Sequence, residues 1–146
     1  MKQLDTKLIR QKAMDYLARR EHSRRELEVK LVRKFPDSNE LGSVLDALAA
    51  DGLQSDRRFT GSFIRLRVQG GFGPQRIRAE LRQRGICDAL IIEQFAEQDV
   101  DWFAAAHALF LKKYAGMVFD DPRQRSKCIR YLQYKGYDLE HINALF

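Results

Sequence analysis

Arg57, Arg58, Arg65, Arg67, Arg76, Arg78, Arg82 and Arg84 are the residues of this chain whose type and spacing point most directly to chemistry. The window they define contains one acidic residue, Glu80, so eight positive charges less one leave it at +7. The whole 146-residue chain, with 26 Lys and Arg against 20 Asp and Glu, carries only +6. A guanidinium is a planar fork that grips phosphate or carboxylate through two parallel hydrogen bonds, where Lys offers a point charge. A concentration of such forks suits a polyanion or an acidic protein groove. Favourable charge near a helix C-terminus accounts for Arg82 and Arg84 by itself, but the excess is larger than that effect requires.

Other residue types that could do chemistry fall into unpromising patterns. Asp99, Asp101, Asp120 and Asp121 are expected at helix starts, where free N–H groups and the positive end of the helix explain carboxylates. His22, His107 and His141 share no metal-ligand spacing, and His107 falls at a core or rim position. No Ser or Cys stands in a nucleophile elbow. Gly70-Gly-Phe-Gly73 resembles a phosphate loop but lacks the GK[ST] ending and follows a helix instead of a strand. It is expected to be an interhelical turn with Gly73 as N-cap and Phe72 packing as a staple. Neither catalysis, cofactor nor metal is therefore expected. Cys87 and Cys128 form no CxxC pair and read as partly buried thiols in a reducing compartment. The N-terminal residues have no apolar core of a signal peptide, and no apolar run approaches membrane-spanning length. A soluble, cytoplasmic, monomeric protein is the expectation.

The elements that must position the arginines are helices throughout. Apolar residues recur at helical spacing, and no alternating strand pattern persists. Helix 1 is expected from Asp5 or Thr6 to Arg20, with Ile9, Ala13, Tyr16 and Leu17 on one face. The capping box Ser23-Arg-Arg-Glu26 starts helix 2, which carries Leu27, Leu31 and Phe35 and stops at Pro36. Helix 3 covers about 39–50 with Leu41, Val44, Leu45 and Leu48, ending at Gly52. The pattern then restarts. Ser55 caps helix 4, with Phe59, Phe63 and Leu66. Pro74 opens helix 5, with Ile77 and Leu81. Asp88 caps helix 6, with Ile91, Ile92 and Phe95. In a third round, helix 7 shows Val100, Phe103, His107, Phe110 and Tyr114. Helix 8 opens at Pro122 with Ile129 and Leu132, and helix 9 opens at Asp138 with Leu139, Ile142 and Leu145.

Leu27, Ile77 and Ile129 align as equivalents, as do Leu31, Leu81 and Leu132. Ala13, Phe59 and Phe103 align in the first helix of each round, followed by Leu17, Phe63 and His107. The distance from the Leu17-type to the Leu27-type position grows from 10 to 14 to 22 residues, so the first loop lengthens while the helices keep register. The expectation is an all-α chain of three tandem three-helix repeats at 1–54, 55–98 and 99–146. Each buries a small core and relies on its neighbours.

Four segments resemble a known family. Arg20-Glu-His-Ser-Arg-Arg-Glu-Leu27 is similar to the start of the first repeat of RecX proteins, bacterial regulators of the RecA recombinase. Asp51-Gly-Leu-Gln-Ser-Asp-Arg-Arg-Phe59 resembles the family's Gly-aromatic-x-Asp-Asp-x-Arg-Phe element, with Leu53 for the aromatic and Ser55 for the first Asp. Gly71-Phe-Gly-Pro-Gln-Arg-Ile-Arg-Ala-Glu-Leu81 with Arg84-Gly-Ile86 resembles its G-x-G-P-x-x-I-x-x-E-L-x-x-[KR]-G run. Ile129-Arg-Tyr-Leu-Gln-Tyr-Lys-Gly-Tyr137 resembles its third-repeat ending. The matches run from about Leu17 to the C-terminus, and the second and third, in that order and spacing, are the specific ones. The resemblance implies an elongated, curved molecule in the helical groove of the RecA–DNA filament. It implies reduced RecA ATPase, strand exchange and coprotease activity, tuning recombinational DNA repair and the SOS response. No basic N-terminal extension precedes the repeats, so tail-mediated binding is not expected. The residues alone also fit a general helical module that binds single- or double-stranded DNA directly with the same arginines.

Overall fold

The computed structural model describes residues 2–146, and side chains from residue 4 onward. Among the described residues there are helices and connections, with no strand. The helices are α1 Lys2–Arg19, α2 Arg24–Lys34, α3 Leu41–Ala50, α4 Asp56–Gln69, α5 Pro74–Gln83, α6 Asp88–Gln98, α7 Trp102–Tyr114, α8 Pro122–Lys135 and α9 Leu139–Asn143. They pack side by side within successive triplets, and none of the extensively packed pairs joins two triplets.

Each triplet has its own core. Ile9, Ala13, Leu27, Leu31, Val44, Leu45 and Leu48 form the first. Phe59, Ile64, Ile77, Leu81, Ile86 and Ile91 form the second. Ala106, Cys128, Leu132, Tyr137 and Ile142 form the third, ringed by Phe110, Tyr114, Phe119 and Tyr131. Three small cores in a row leave more surface than one large core. The accessible area is 9120 Å², against about 7,700 Å² expected for a compact monomer of this mass.

The boundaries follow local chemistry. Ser23 and Glu26 close the expected capping box on α2, and Ser55 accepts from the Arg58 N–H on α4. Pro74 and Pro122 occupy first turns. Several details differ from the sequence expectation. α1 begins at Lys2 and α3 at Leu41. Cys87, not Asp88, is the N-cap of α6, and the Asp88 carboxylate instead accepts from Arg82 Nε at 2.9 Å. Asp99 ends α6 in a left-handed conformation instead of starting α7. Asp101 and Asp121 are the N-caps of α7 and α8.

The buried faces of the later helices are also rotated. Leu66, Ile92, Phe103 and Leu139 are exposed, and Ile64 is fully buried in place of Leu66. On α7 the inward residue is Ala106, with Trp102, Leu109 and Phe110 beside it, so His107 points outward. On α8 the position equivalent to Leu27 and Ile77 is Cys128, four before Leu132, and Ile129 is only half-buried. Cys128 is buried, whereas Cys87 is exposed.

The triplets meet at two joints made by connections and helix ends. At the first, Ser23 Oγ donates to the Arg84 carbonyl at 2.8 Å, and the Arg24 N–H donates to Asp56 Oδ1 at 2.8 Å. Buried Gln54 donates to the His22 carbonyl and to Asp56 Oδ1, at 3.3 and 3.0 Å. Glu26 lies 3.0 Å from Arg20 and 3.7 Å from Arg84. At the second, the turn 71–75 docks backbone to backbone on the α8–α9 corner. Gly73 N donates to Lys135 O at 2.7 Å, Gln75 N to Gly136 O at 2.9 Å, and Tyr137 OH to Gly71 O at 3.1 Å. Trp102 packs against the second and third cores together. The Gly-rich stretch is thus the expected turn with Gly73 as N-cap, and it is also a docking element.

Candidate interaction surface

The eight arginines of the central window divide by exposure. Arg57, Arg58, Arg65 and Arg82 are exposed, and Arg67, Arg76, Arg78 and Arg84 are half-buried. The half-buried group holds the fold. Arg67 grips both oxygens of Glu80, at 2.8 and 2.6 Å, and lies 3.8 Å from the centre of the Phe72 ring. Arg76 is 3.6 Å from the same carboxylate and lies over both Phe72 and Tyr134. Phe72 also carries the Lys135 ammonium 3.8 Å from its centre, so three cations surround one ring at the second joint. Burial and the neighbouring Arg76 and Arg67 push the Lys135 ammonium below its ordinary value. Arg84 lies over Phe63 and donates to the Glu80 carbonyl at 2.9 Å, and Arg78 lies over Phe95.

Three of the exposed group, Arg57, Arg58 and Arg65, line a groove between α4 and α6 of about 330 Å³, capped by Glu21 from the first triplet. Arg57 reaches across to Glu93 at 2.6 Å and to Glu97. Arg58 Nε donates to Glu21 at 3.2 Å, and Arg65 to Gln98 at 3.3 Å. Gly61 lies at the tight crossing of the two helices, where a Cβ would come within 2.8 Å of Gln94 Oε1. The groove is therefore a mixed-charge surface, with α6 supplying anions to the cations of α4. One of its carboxylate oxygens, Glu21 Oε2, is buried with no hydrogen-bond partner. Arg82 lies outside this groove and pairs with Asp88.

Fold-level pairing thus changes the charge picture drawn from the linear chain. The guanidiniums of the window meet carboxylates that lie outside it: Glu21, Glu26, Asp88, Glu93 and Glu97. Three exposed cations without acidic partners, Arg123, Lys127 and Arg130, form one stripe on α8. Their i, i+4, i+7 spacing is visible in the sequence, but Asp120 and Asp121 beside them mask it in a running charge sum.

The histidines do not converge. His22 is buried at the first joint, bonded to the Arg20 carbonyl at 3.1 Å and to Lys30 Nζ at 2.8 Å. The carbonyl can only accept, so Nδ1 carries the proton and Nε2 accepts from Lys30. Burial first, then nearby Arg20 and Lys30, push the imidazole below its ordinary value. His141 takes part in the α9 capping box with Asp138. No helix among the described residues is long and apolar enough to cross a membrane.

The three triplets match three family models in order. The first three-helix domain of RecX matches residues 10–38, the second 55–98 and the third 99–146. The chain belongs to the RecX family. The regulatory protein RecX of Pseudomonas putida (strain GB-1) is 44% identical over 143 residues, covering 97% of this chain and 92% of that protein. The regulatory protein RecX of Halorhodospira halophila (strain DSM 244 / SL1) is 41% identical over 136 residues, covering 93% and 84%. The crystal structure of RecX from Lactobacillus salivarius superposes with a TM-score of 0.78 at 21% identity, over 96% of this chain and 93% of that one. A second crystal structure, of a regulatory protein RecX, gives 0.80 at 22% identity, over 96% and 72%. These structures share the fold, and the relatives closer in sequence are named as regulatory proteins.

Proposed function

We propose that this protein regulates RecA by lying in the helical groove of the RecA–DNA filament, as three units at 1–54, 55–98 and 99–146. It lowers RecA ATP hydrolysis, strand exchange and coprotease activity without catalysis of its own, and so tunes recombinational repair and the SOS response in the cytoplasm. The observation that supports this reading most is the pair of joints. Direct hydrogen bonds lock three small cores into one body with a large surface for its mass, and a groove spanning several subunits needs a long, rigid ligand. Of the eight candidate arginines, Arg57, Arg58, Arg65 and Arg82 reach the partner. Arg67, Arg76, Arg78 and Arg84 hold the central unit in shape. Arg57, Arg58 and Arg82 would exchange their internal acids, and Arg65 its Gln98 amide, for the partner's acids, a near-neutral trade that favours specificity over raw affinity.

The test is a titration of this protein into RecA turning over ATP on single-stranded DNA. Inhibition below one molecule per RecA subunit is expected, and a flat response over a wide titration refutes the reading. Arg57→Gln, Arg58→Gln and Arg65→Gln together should shift the inhibition curve at least tenfold.

A further inference from the structure

We infer that the outer face of α8 is a phosphate track for single-stranded nucleic acid, separate from the arginines of the central unit. Arg123, Lys127, Arg130 and Tyr134 follow one another at i, i+4, i+7 and i+11, so they stand in a row along the helix. The row spans about 16 Å at 1.5 Å per residue. All four side chains are exposed, and Tyr134 retains 70% of its accessible area. The opposite face of α8 carries Cys128 and Leu132 into the core, so the row cannot be buried without unfolding the third unit.

The row differs from the arginines of the central unit, each of which has a carboxylate, amide or aromatic partner. Arg123, Lys127 and Arg130 have no carboxylate within ion-pair distance and no aromatic ring against them, among the described residues. With Pro122 and Ser126 they line a single shallow depression. The nearest acids in sequence, Asp120 and Asp121, do not pair with them. Asp121 caps the helix by accepting from the Arg123 N–H at 2.9 Å, which fixes the start of the row. Three unpaired cations in line stabilise the free protein little, because like charges on one helix face repel. A chain of phosphates removes that repulsion and releases its own counterions.

Tyr134 points to a single strand over a duplex. One face of its ring is covered by the Arg76 guanidinium, 4.9 Å from the ring centre, and Arg76 also donates to the Tyr134 carbonyl at 3.4 Å. The ring is thus held in place with area to spare, as a platform for one unstacked base next to the cations. A duplex keeps its bases paired and has no base to offer it. The second joint makes this platform, since Arg76 belongs to α5 and Tyr134 to α8.

The experiment uses the whole protein and a fluorescein-labelled mixed-sequence 30-nucleotide single strand, with no RecA present, and reads anisotropy across a salt series. Binding should weaken steeply with salt, at about 0.7 in log K per phosphate neutralised. Arg123→Gln, Lys127→Gln and Arg130→Gln together should lower that slope by about 2 and weaken binding at least tenfold in low salt. Tyr134→Ala should weaken binding severalfold without changing the slope, and Tyr134→Phe should bind as the parent does. The Arg57→Gln, Arg58→Gln, Arg65→Gln protein should bind within twofold of the parent. Absence of binding at low salt overturns the inference. So does loss in the central variant with the α8 variant unaffected, or equal preference for a duplex of the same length. If the triple α8 variant unfolds, Lys127→Gln alone should carry about a third of the slope change. RecA inhibition retained by an α8 variant that no longer binds DNA leaves this inference standing and separates it from the filament reading.

Discussion

The two joints hold the same kinds of unit together by opposite means. The first is polar and side-chain-built: the hydroxyl of Ser23, the carboxylates of Asp56 and Glu26, and the amide of Gln54. No residue is shared between the first and second cores. The second is backbone-built, with main-chain donors of Gly73 and Gln75 on main-chain acceptors of Lys135 and Gly136, and Trp102 belonging to both cores. A side-chain joint can loosen when one group changes charge. A backbone joint depends on how closely two chains approach, and is most sensitive to steric bulk.

The largest effect is therefore expected from one methyl group at the second joint. Gly73 has φ −93, which any residue adopts. A Cβ there would lie 2.4 Å from Gly136 C and 2.5 Å from Tyr137 N, and neither is the end of a flexible side chain. Gly136 closes the contact from the other side, with φ +106 and a Cβ position 2.5 Å from Arg76 Cβ. Gly73→Ala should lose about 3 kcal/mol or more of stability, read from denaturant midpoints. Hydrogen exchange should speed up first at Gln75 and Tyr137. A loss below about 1 kcal/mol would mean the two units slide apart easily and the joint is not steric.

Next comes the hub of the first joint. Asp56 Oδ1 accepts from the Arg24 N–H and from Gln54 at once. Asp56→Ala leaves two donors unpaired in a mostly buried place, and should cost about 2 kcal/mol. Unlike Gly73→Ala, it should leave the contact between the second and third units intact, which a cross-link between cysteines placed at positions 75 and 138 would report. Gln75 Nε2 and Asp138 Oδ1 lie 2.7 Å apart in the parent.

Much of this was legible in the sequence, and the limit has a physical cause. Helix periodicity, capping chemistry and Pro placement locate the helices and the threefold repetition, because those are properties of neighbouring residues. Gly73 reads correctly as an N-cap, but its stronger constraint comes from a chain more than 60 residues away, which no local pattern encodes. The third unit misled the pattern where aromatic residues ring its core: Phe103 and His107 align with buried positions by spacing, yet Trp102 and Ala106 take the inward face. The arginine window shows the same limit in charge. Arg57, Arg58 and Arg84 meet Glu93, Glu97, Glu21 and Glu26 only after folding. A sum over the sequence counts the cations of α4 and α5 without the anions that neutralise them.

The joints should also part in opposite directions of pH. His22, buried in the first, is pushed below its ordinary value of 6.5. The unfolded chain then takes up a proton at a pH where the folded one does not, so stability falls as pH drops below 6.5. Glu26 adds to this. Burial works against its charge, but hydrogen bonds from Arg20 and from the Ser23 N–H hold it below its ordinary 4.5, so its contribution also fades in acid. Tyr137, in the second joint, is pushed up to about 12 by burial. Its contribution is whole below the ordinary value of 10 and is lost as pH rises from there towards 12. Hydrogen exchange or limited proteolysis should open the first joint at pH 5 and the second above pH 10. Tyr137→Phe should remove the alkaline step and leave the acid step unchanged. A single transition at both ends, with the two joints opening together, would show that the units are coupled more tightly than their separate cores suggest.

The smallest effect lies at the rim of the first joint, and it separates structure from contact. Arg58 bridges from α4 to Glu21 at 3.2 Å with 47% of its side chain exposed. Exposed pairs of this kind contribute about 0–1 kcal/mol, so Arg58→Gln should barely move the denaturant midpoint. Arg84, at the same joint, is a different case: it lies over Phe63 and donates to a backbone carbonyl with 33% of its side chain exposed. Arg84→Gln should cost about 1–2 kcal/mol through the lost stacking and hydrogen bond. If Arg58→Gln weakens RecA inhibition at unchanged stability while Arg84→Gln weakens both in step, the exposed arginines make the contact and the half-buried ones hold its shape. If both change stability equally, the division by exposure fails, and the whole window acts as scaffold.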